Sequence, residues 1–137
     1  MKKIELSLTI IILSLTFCGC DAPRYYNYFI TNDCDELIKT KIEVNHVYNS
    51  AVPSVGSTKI FDLLIEPNTT RLIISSEFLQ PLNDKMIEYF LVEIIITKGI
   101  DTSKVNYVDK DLWEFKKTSK NHADFYLTVR PEDFENE

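Results

Sequence analysis

Hydrophobic and polar residues alternate along most of this chain, with the period of two that places successive side chains on opposite faces of a β-strand. The clearest case is Leu37–Tyr48 (LIKTKIEVNHVY), where apolar residues and Thr40 take alternate positions and charged or amide residues take the others. Thr58–Ile65 and Asp124–Arg130 alternate in the same way. We predict that all three segments are half-buried strands.

Further strands are predicted where β-branched and aromatic residues cluster between turn signals. Asn and Asp residues after Thr31, and Pro67 with Asn68, supply those signals because they favour turns. The segment before Ile87 is predicted to be a loop or a short helical turn, for which Asn83 or Asp84 is a possible cap. The further predicted strands are Tyr25–Thr31, Thr70–Ser75, Ile87–Thr97, Val105–Val108 and Leu112–Phe115.

The spacing of these segments favours an all-β domain, because no strand-helix-strand rhythm appears. We predict an antiparallel two-sheet sandwich of about seven strands with immunoglobulin-like or other Greek-key topology. A partly open barrel is the alternative. At 137 residues the chain has room for one such domain, which we place at residues 25–137.

Charge and composition narrow the possible partners. The chain has a formal net charge of -6 and a pI of about 4.9. An acidic protein repels phosphate backbones, so nucleic-acid binding is not expected. Only two glycines, Gly56 and Gly99, follow residue 20, so a glycine-rich phosphate-binding loop is not expected and no cofactor is predicted.

The first residues have the pattern of a secretory signal peptide. Lys2 and Lys3 precede a twelve-residue apolar run, Leu6–Phe17, which is too short for a stable membrane-spanning helix. Gly19 then stands directly before Cys20, and this arrangement resembles the lipobox of bacterial lipoproteins. The resemblance implies cleavage before Cys20 and a lipid on its sulfur, with residues 1–19 as the signal peptide and residues 20–24 as a tether.

That interpretation gives the three cysteines different roles. Cys18 follows the bulky Phe17, which disfavours it as the lipidated residue, and it would leave with the signal peptide. The alternative, that Cys18 and Cys20 form a metal or redox pair, has no second cysteine or histidine pair in support. Cys34 would then be the one free thiol of the mature chain, and we predict that it is buried.

Residues suited to catalysis form no recognisable motif. His46 and His122 lack metal-binding or catalytic partners at characteristic spacing, and the chain contains no G-x-S-x-G sequence. The acidic group Asp33, Asp35 and Glu36 lacks the loop of a calcium site. We therefore predict no metal site and a protein that is not an enzyme.

Exposed tyrosines are the candidates for partner binding. In an extended strand Tyr26 and Tyr28 share one face while Tyr25 and Phe29 share the other, so one pair is expected at the surface. We predict weak partner-binding roles for Tyr25, Tyr26 and Tyr28. The resulting hypothesis is a lipid-anchored interaction or structural module of the bacterial cell envelope, facing the periplasm or the exterior, with an envelope protein or glycan as partner.

Two alternative functions remain open at this stage. One is a small hydrolase that acts on envelope glycans, using carboxylates that the sequence does not single out. The other is an inhibitor or immunity-type protein that inserts an exposed loop, such as Asn49–Ser57, into an envelope enzyme.

Overall fold

Eight strands form two four-stranded sheets that pack face to face in a computed structural model, which describes residues 22–45, 58–78 and 82–135. The elements are β1 (Arg24–Asn32), β2 (Ile38–Asn45), β3 (Thr58–Ile65), β4 (Thr69–Phe78), α1 (Met86–Phe90), β5 (Leu91–Lys98), β6 (Asp101–Thr102), β7 (Trp113–Lys117) and β8 (His122–Val129). Short 3-10 helices cover Lys110–Leu112 and Pro131–Phe134. Cys20, His46 and the loop Asn49–Ser57 lie outside the described residues.

Sheet A has the strand order β4-β1-β8-β7, and sheet B has the order β3-β2-β5-β6. Neighbouring strands are antiparallel except β1 and β8, which pair in parallel over their whole length. The predicted all-β two-sheet sandwich is confirmed. The parallel pair was not predicted. Parallel strands need a long connection between them, and here all the strands between β1 and β8 in the chain form that connection.

The core lies between the two sheets and is filled by alternate residues of each central strand. On β1 the side chains of Tyr26, Tyr28 and Ile30 are fully buried, while Tyr25 and Phe29 point to the outer side of sheet A. Aromatic rings dominate this layer and contact one another in stacked or edge-to-face geometry, which adds to the free energy gained by burial. The large fully buried side chains include Tyr26, Tyr28, Tyr107, Phe125, Ile30, Ile38, Ile42, Ile65, Met86, Ile87, Ile96 and Leu127.

The predicted strand Val105–Val108 is wrong. This segment is a loop with a turn, and its backbone groups bond locally instead of to a neighbouring strand. The Val105 N–H donates to Ser103 Oγ (3.2 Å) and the Tyr107 N–H donates to the Val105 carbonyl (3.1 Å). Tyr107 is nevertheless buried, and its carbonyl accepts the Trp113 indole N–H at 2.8 Å. The apolar character of the segment reflects this packing and not a strand.

The predicted strand Ile87–Thr97 begins four residues later than expected. Residues Met86–Phe90 form α1, and β5 starts only at Leu91. Met86, Ile87 and Phe90 are buried while Glu88 and Tyr89 are exposed, a one-sided pattern that suits a helical turn. Phe90 stacks on Tyr28 with 4.9 Å between ring centroids. The helical turn therefore closes one end of the core.

Candidate functional site

The structure separates the three tyrosines that the sequence suggested for partner binding. Tyr25 is 37% exposed on the outer face of sheet A, whereas Tyr26 and Tyr28 are completely buried. Buried rings cannot contact a partner at the surface, so the surface role predicted for Tyr26 and Tyr28 is replaced by a role in the core. Cys34 is also buried, as predicted, and burial raises the pKa of its thiol.

A stacked pair of rings, Tyr25 and His122, lies on the outer face of sheet A at the start of β1. Tyr25 and His122 lie opposite each other on the parallel strands β1 and β8, and their ring centroids are 5.0 Å apart. The Tyr25 N–H donates to the carbonyl of Asn121 at 2.8 Å, which fixes the start of β1 to the turn before β8. Glu77 on β4 lies opposite Tyr25 on the other side.

A second group of apolar side chains crosses the same face four residues further along β1. Phe29 on β1 stacks on Tyr126 of β8, with centroids 4.9 Å apart and planes 10° from parallel. The Lys116 amine lies 5.0 Å from the centroid of the Tyr126 ring, and Leu72 of β4 pairs with Phe29 and is 48% exposed. We call Leu72, Phe29, Tyr126 and Lys116 the aromatic row.

The orientation of these rings determines what they can bind. The distance between Phe29 and Tyr126 equals the spacing of neighbouring strands, so the rings stand upright on the sheet with their faces toward each other. Leu72 and Lys116 flank the outer faces of the two rings. Ring edges and the Leu72 side chain therefore face the solvent, and no broad ring face is left open for stacking.

A polar network lies between the stacked pair and the aromatic row. The Asn27 side-chain amide donates to Asp124 Oδ1 at 2.9 Å, and Ser75 Oγ donates to Asn27 Oδ1 at 2.7 Å. The Tyr126 hydroxyl donates to Asp124 Oδ2 at 3.3 Å. Burial and the adjacent Asp124 carboxylate raise the pKa of Tyr126, so its hydroxyl stays a donor. The network spans β4, β1 and β8 and holds the face in one arrangement.

The outer face of sheet B has a different chemistry. Its central strand β2 presents Lys39, Lys41 and Glu43, which alternate with the buried residues of the core. Leu64 and Ile60 on the edge strand β3 are exposed, but their partners on β2 are the charged residues Lys39 and Glu43. Isolated apolar residues among charges are ordinary for a solvated surface. The two outer faces therefore differ, and only sheet A combines aromatic and apolar residues in one row.

A small pocket of about 220 Å³ lies beside the end of β8, and its lining includes Tyr107, Glu114, Arg130 and Asp133. Asp133 accepts hydrogen bonds from the Tyr107 hydroxyl and the Arg130 backbone N–H, each at 3.0 Å. Burial raises the pKa of Tyr107, which keeps its hydroxyl protonated as a donor. Asp133 therefore holds the last 3-10 helix in place, and the pocket is smaller than the roughly 300–1,000 Å³ of most small-molecule sites.

The described ranges contain neither a metal-binding cluster nor a membrane-spanning helix. No group of three or more His, Cys, Asp and Glu side chains there is arranged to hold a metal ion. No helix in the same ranges is long and apolar enough to cross a bilayer. Comparison with known proteins adds no relative, since no family model, curated protein or solved structure matches this chain.

Sequence reasoning missed Tyr126, Leu72 and Lys116 as members of a candidate site. The alternation of side chains along β1 predicted that Tyr25 and Phe29 share one face, and this prediction is confirmed. The residues beside them depend on which strands flank β1, and the parallel neighbour β8 lies about a hundred residues away in sequence. Local pattern carries no information on such a pairing.

Proposed function

We propose that this chain is a lipoprotein of the bacterial cell envelope, anchored through lipid on Cys20, whose sandwich is a non-catalytic protein-binding module. The anchor is supported by the leader Lys2–Phe17 and the lipobox-like Gly19-Cys20. Two or more acyl chains are sufficient for stable membrane attachment. The partner would be an envelope protein bound on the outer face of sheet A.

The aromatic row is the observation that carries the protein-binding part of this proposal. A solvated sheet face usually presents polar residues, whereas this one places Leu72, Phe29 and Tyr126 side by side. Aromatic residues are enriched in the centres of protein interfaces, where their edges and an adjacent leucine pack against aliphatic side chains. A partner with a flat aliphatic surface fits this row.

A glycan partner is less favoured because sugar rings bind to open aromatic faces. One face of each of the Phe29 and Tyr126 rings is covered by the other ring, and Leu72 and Lys116 flank the pair.

The hydrolase alternative would use Glu114 and Asp133 of the small pocket, but Asp133 already accepts two structural hydrogen bonds. The inhibitor alternative depends on the loop Asn49–Ser57, which lies outside the described residues.

The proposal is tested by a matched pair of substitutions, Leu72→Glu and Leu64→Glu. Both leucines lie on edge strands and are about equally exposed, at 48% and 51%. Cells producing the full chain with its own leader are treated with an amine-reactive crosslinker, and proteins joined to Lys116 are identified by mass spectrometry. We expect Leu72→Glu to reduce the yield of one recurring partner about tenfold, as loss of an interface hot spot does.

Leu64→Glu should leave that yield unchanged because it alters the charged face. Circular dichroism of both purified variants checks that each remains folded. If the two variants gave equal yields, or if no protein recurred at Lys116, the aromatic row would not be a protein-binding surface.

A further inference from the structure

The strand topology brings several chain segments to one end of the sandwich. β1, β3 and β8 begin there, and β4 and β7 end there, because β1 and β8 run parallel while their outer neighbours run antiparallel to them. We call this the tether end, since residues 20–24 lead into it. The hydrogen bond from the Tyr25 N–H to the Asn121 carbonyl fixes the β7–β8 turn beside the start of β1.

Basic side chains gather at the tether end. Lys117 is the last residue of β7 and Lys120 lies in the turn to β8, and both are exposed. Arg24 begins β1, and the exposed Lys59 is the second residue of β3. The hairpin segment 115–123 (FKKTSKNHA) contains no acidic residue.

Acidic groups offset part of that charge, beginning with Asp21, which follows Cys20 in the tether. Glu77 lies opposite Tyr25 on β4, and Asp84, before α1, is paired with Lys110 at 4.0 Å. Glu88 of α1 is exposed, close in sequence to Lys85. The connections 46–57 and 79–81, which lie outside the described residues, contain no Asp, Glu, Lys or Arg.

The opposite end of the sandwich is strongly acidic. Its short described connections are 33–37, 66–68, 99–100 and 130–135, and within them Arg130 is the single basic residue. Three lysines lie near them: Lys39 at the start of β2, Lys98 at the end of β5 and Lys104 after β6. The acidic side chains of these connections are Asp33, Asp35, Glu36, Glu66, Glu132, Asp133 and Glu135. The far end of the domain is therefore more acidic than the tether end, where most of the exposed basic side chains near a strand end lie without an acidic neighbour in sequence.

Covalent geometry keeps the basic end close to the proposed anchor. Arg24 is four positions after Cys20, so the Cα atoms of these two residues are at most about 14 Å apart even in an extended chain. The nine residues of β1 then extend about 30 Å away from that point. At physiological salt the Debye length is about 8 Å, so the surface charge of the membrane acts far more strongly on the tether end than on charges about 30 Å further along the strands.

We infer that the tether end binds anionic phospholipid headgroups of the membrane that holds the lipid anchor, through Lys59, Lys117, Lys120 and Arg24. The inference rests on the anchor proposed for Cys20. Tyr25 is half-exposed at the same end, and tyrosine suits the boundary between headgroups and water because its ring is apolar and its hydroxyl is polar. The strands then stand upright on the membrane and leave the outer face of sheet A open to a partner.

The experiment uses the lipidated protein purified from cells that produce the full chain with its own leader. It is reconstituted into vesicles of phosphatidylcholine alone or of phosphatidylcholine with about 30% phosphatidylglycerol, an anionic lipid that gives the vesicle surface a negative charge. Flotation of the protein with the vesicles reports the anchor. The rate at which each lysine is acetylated, measured by mass spectrometry, reports whether the tether end contacts the vesicle surface.

We expect Lys59, Lys117 and Lys120 to be acetylated about fivefold more slowly on the anionic vesicles at low salt, relative to Lys104 near the far end. High salt should remove the difference because it screens the surface charge. The variant Lys117→Glu/Lys120→Glu should lose the protection of Lys59. The control Lys39→Glu/Lys41→Glu, which makes the same charge change on the outer face of sheet B, should keep it.

Equal acetylation on the two vesicle types, in protein that floats with both, would overturn the headgroup contact and leave the anchor intact. Loss of protection in both variants would overturn the assignment to this end, because it would show dependence on net charge only. A protein that floats with neither vesicle type would contradict the anchor, and with it this inference.

Discussion

Replacing Tyr28 with alanine is expected to lower the free energy of unfolding by about 4 kcal/mol, because it removes a fully buried ring from the centre of the core. The Tyr28 ring stacks on Phe125 and Phe90, with centroids 5.1 and 4.9 Å away, and meets Trp113 edge to face at 6.2 Å. These contacts join three strands of sheet A, β1, β7 and β8, to α1. No surrounding side chain can close the cavity without moving one of these elements.

The control for this substitution is Tyr28→Phe, which keeps the ring and removes the hydroxyl. Burial raises the pKa of Tyr28 well above its usual value, and its hydroxyl lies near that of Ser76 without a hydrogen bond of standard geometry. Removing a buried hydroxyl that lacks a good partner costs little, so we expect a change within about 1 kcal/mol in either direction.

Urea unfolding followed by Trp113 fluorescence measures both variants. The result that contradicts this account is a phenylalanine variant as unstable as the alanine variant. Such a result would mean that the hydroxyl, and not the ring, holds the centre of the core.

Replacing Asn32 should have the second large effect, because this buried amide joins three segments of the chain. Its Nδ2 donates to the carbonyls of Glu36 (2.8 Å) and Ile65 (3.0 Å), and its Oδ1 accepts the Cys34 N–H (3.0 Å). Asn32→Ala leaves these backbone groups without partners in a buried site. We expect it to lower the free energy of unfolding by about 3 kcal/mol.

Asn32→Asp provides a sharper version of the same test. At neutral pH the substitution sets a carboxylate against two carbonyl oxygens, so the loss of stability should exceed that of Asn32→Ala. At pH 4 the loss should be smaller, because a protonated acid can donate to one of the carbonyls. The matched control is Asn45→Ala, whose amide donates to the Tyr89 carbonyl at an exposed position and should cost about 0.5 kcal/mol. Equal losses for Asn32→Ala and Asn45→Ala would refute the structural role of Asn32.

Alternation predicted the fold class, because β1, β2 and β8 each bury one face and leave the other at least partly exposed. In β3 the same alternation is weaker, since Ile65 is buried and Phe61 and Leu63 are half-buried. Alternation failed where apolar residues serve a different purpose. Val105 and Tyr107 cover the core from a loop, and Ile87 and Phe90 do so from a helical turn. Short segments of this kind have too few residues for their period to be read from sequence.

The candidate face was only partly predictable. The alternation of side chains grouped Tyr25 with Phe29. Because both faces of β1 carry aromatic residues, the sequence does not show which face is buried. Tyr126 joins Phe29 only through the parallel pairing of β1 with β8, a contact between distant parts of the chain. In the sequence Asn32 likewise looks like part of a polar turn. It bonds to the carbonyl of Ile65 at the end of β3, a contact that the local sequence does not show.

The lipid on Cys20 is the claim on which the proposed location and the orientation on the membrane both depend. Mass spectrometry of the mature amino terminus, from cells producing the full chain, tests it directly. We predict a first residue at Cys20 with acyl mass on it, and no acyl mass in the Cys20→Ala variant. A mature chain that begins elsewhere, or a Cys20 without lipid, would contradict the account.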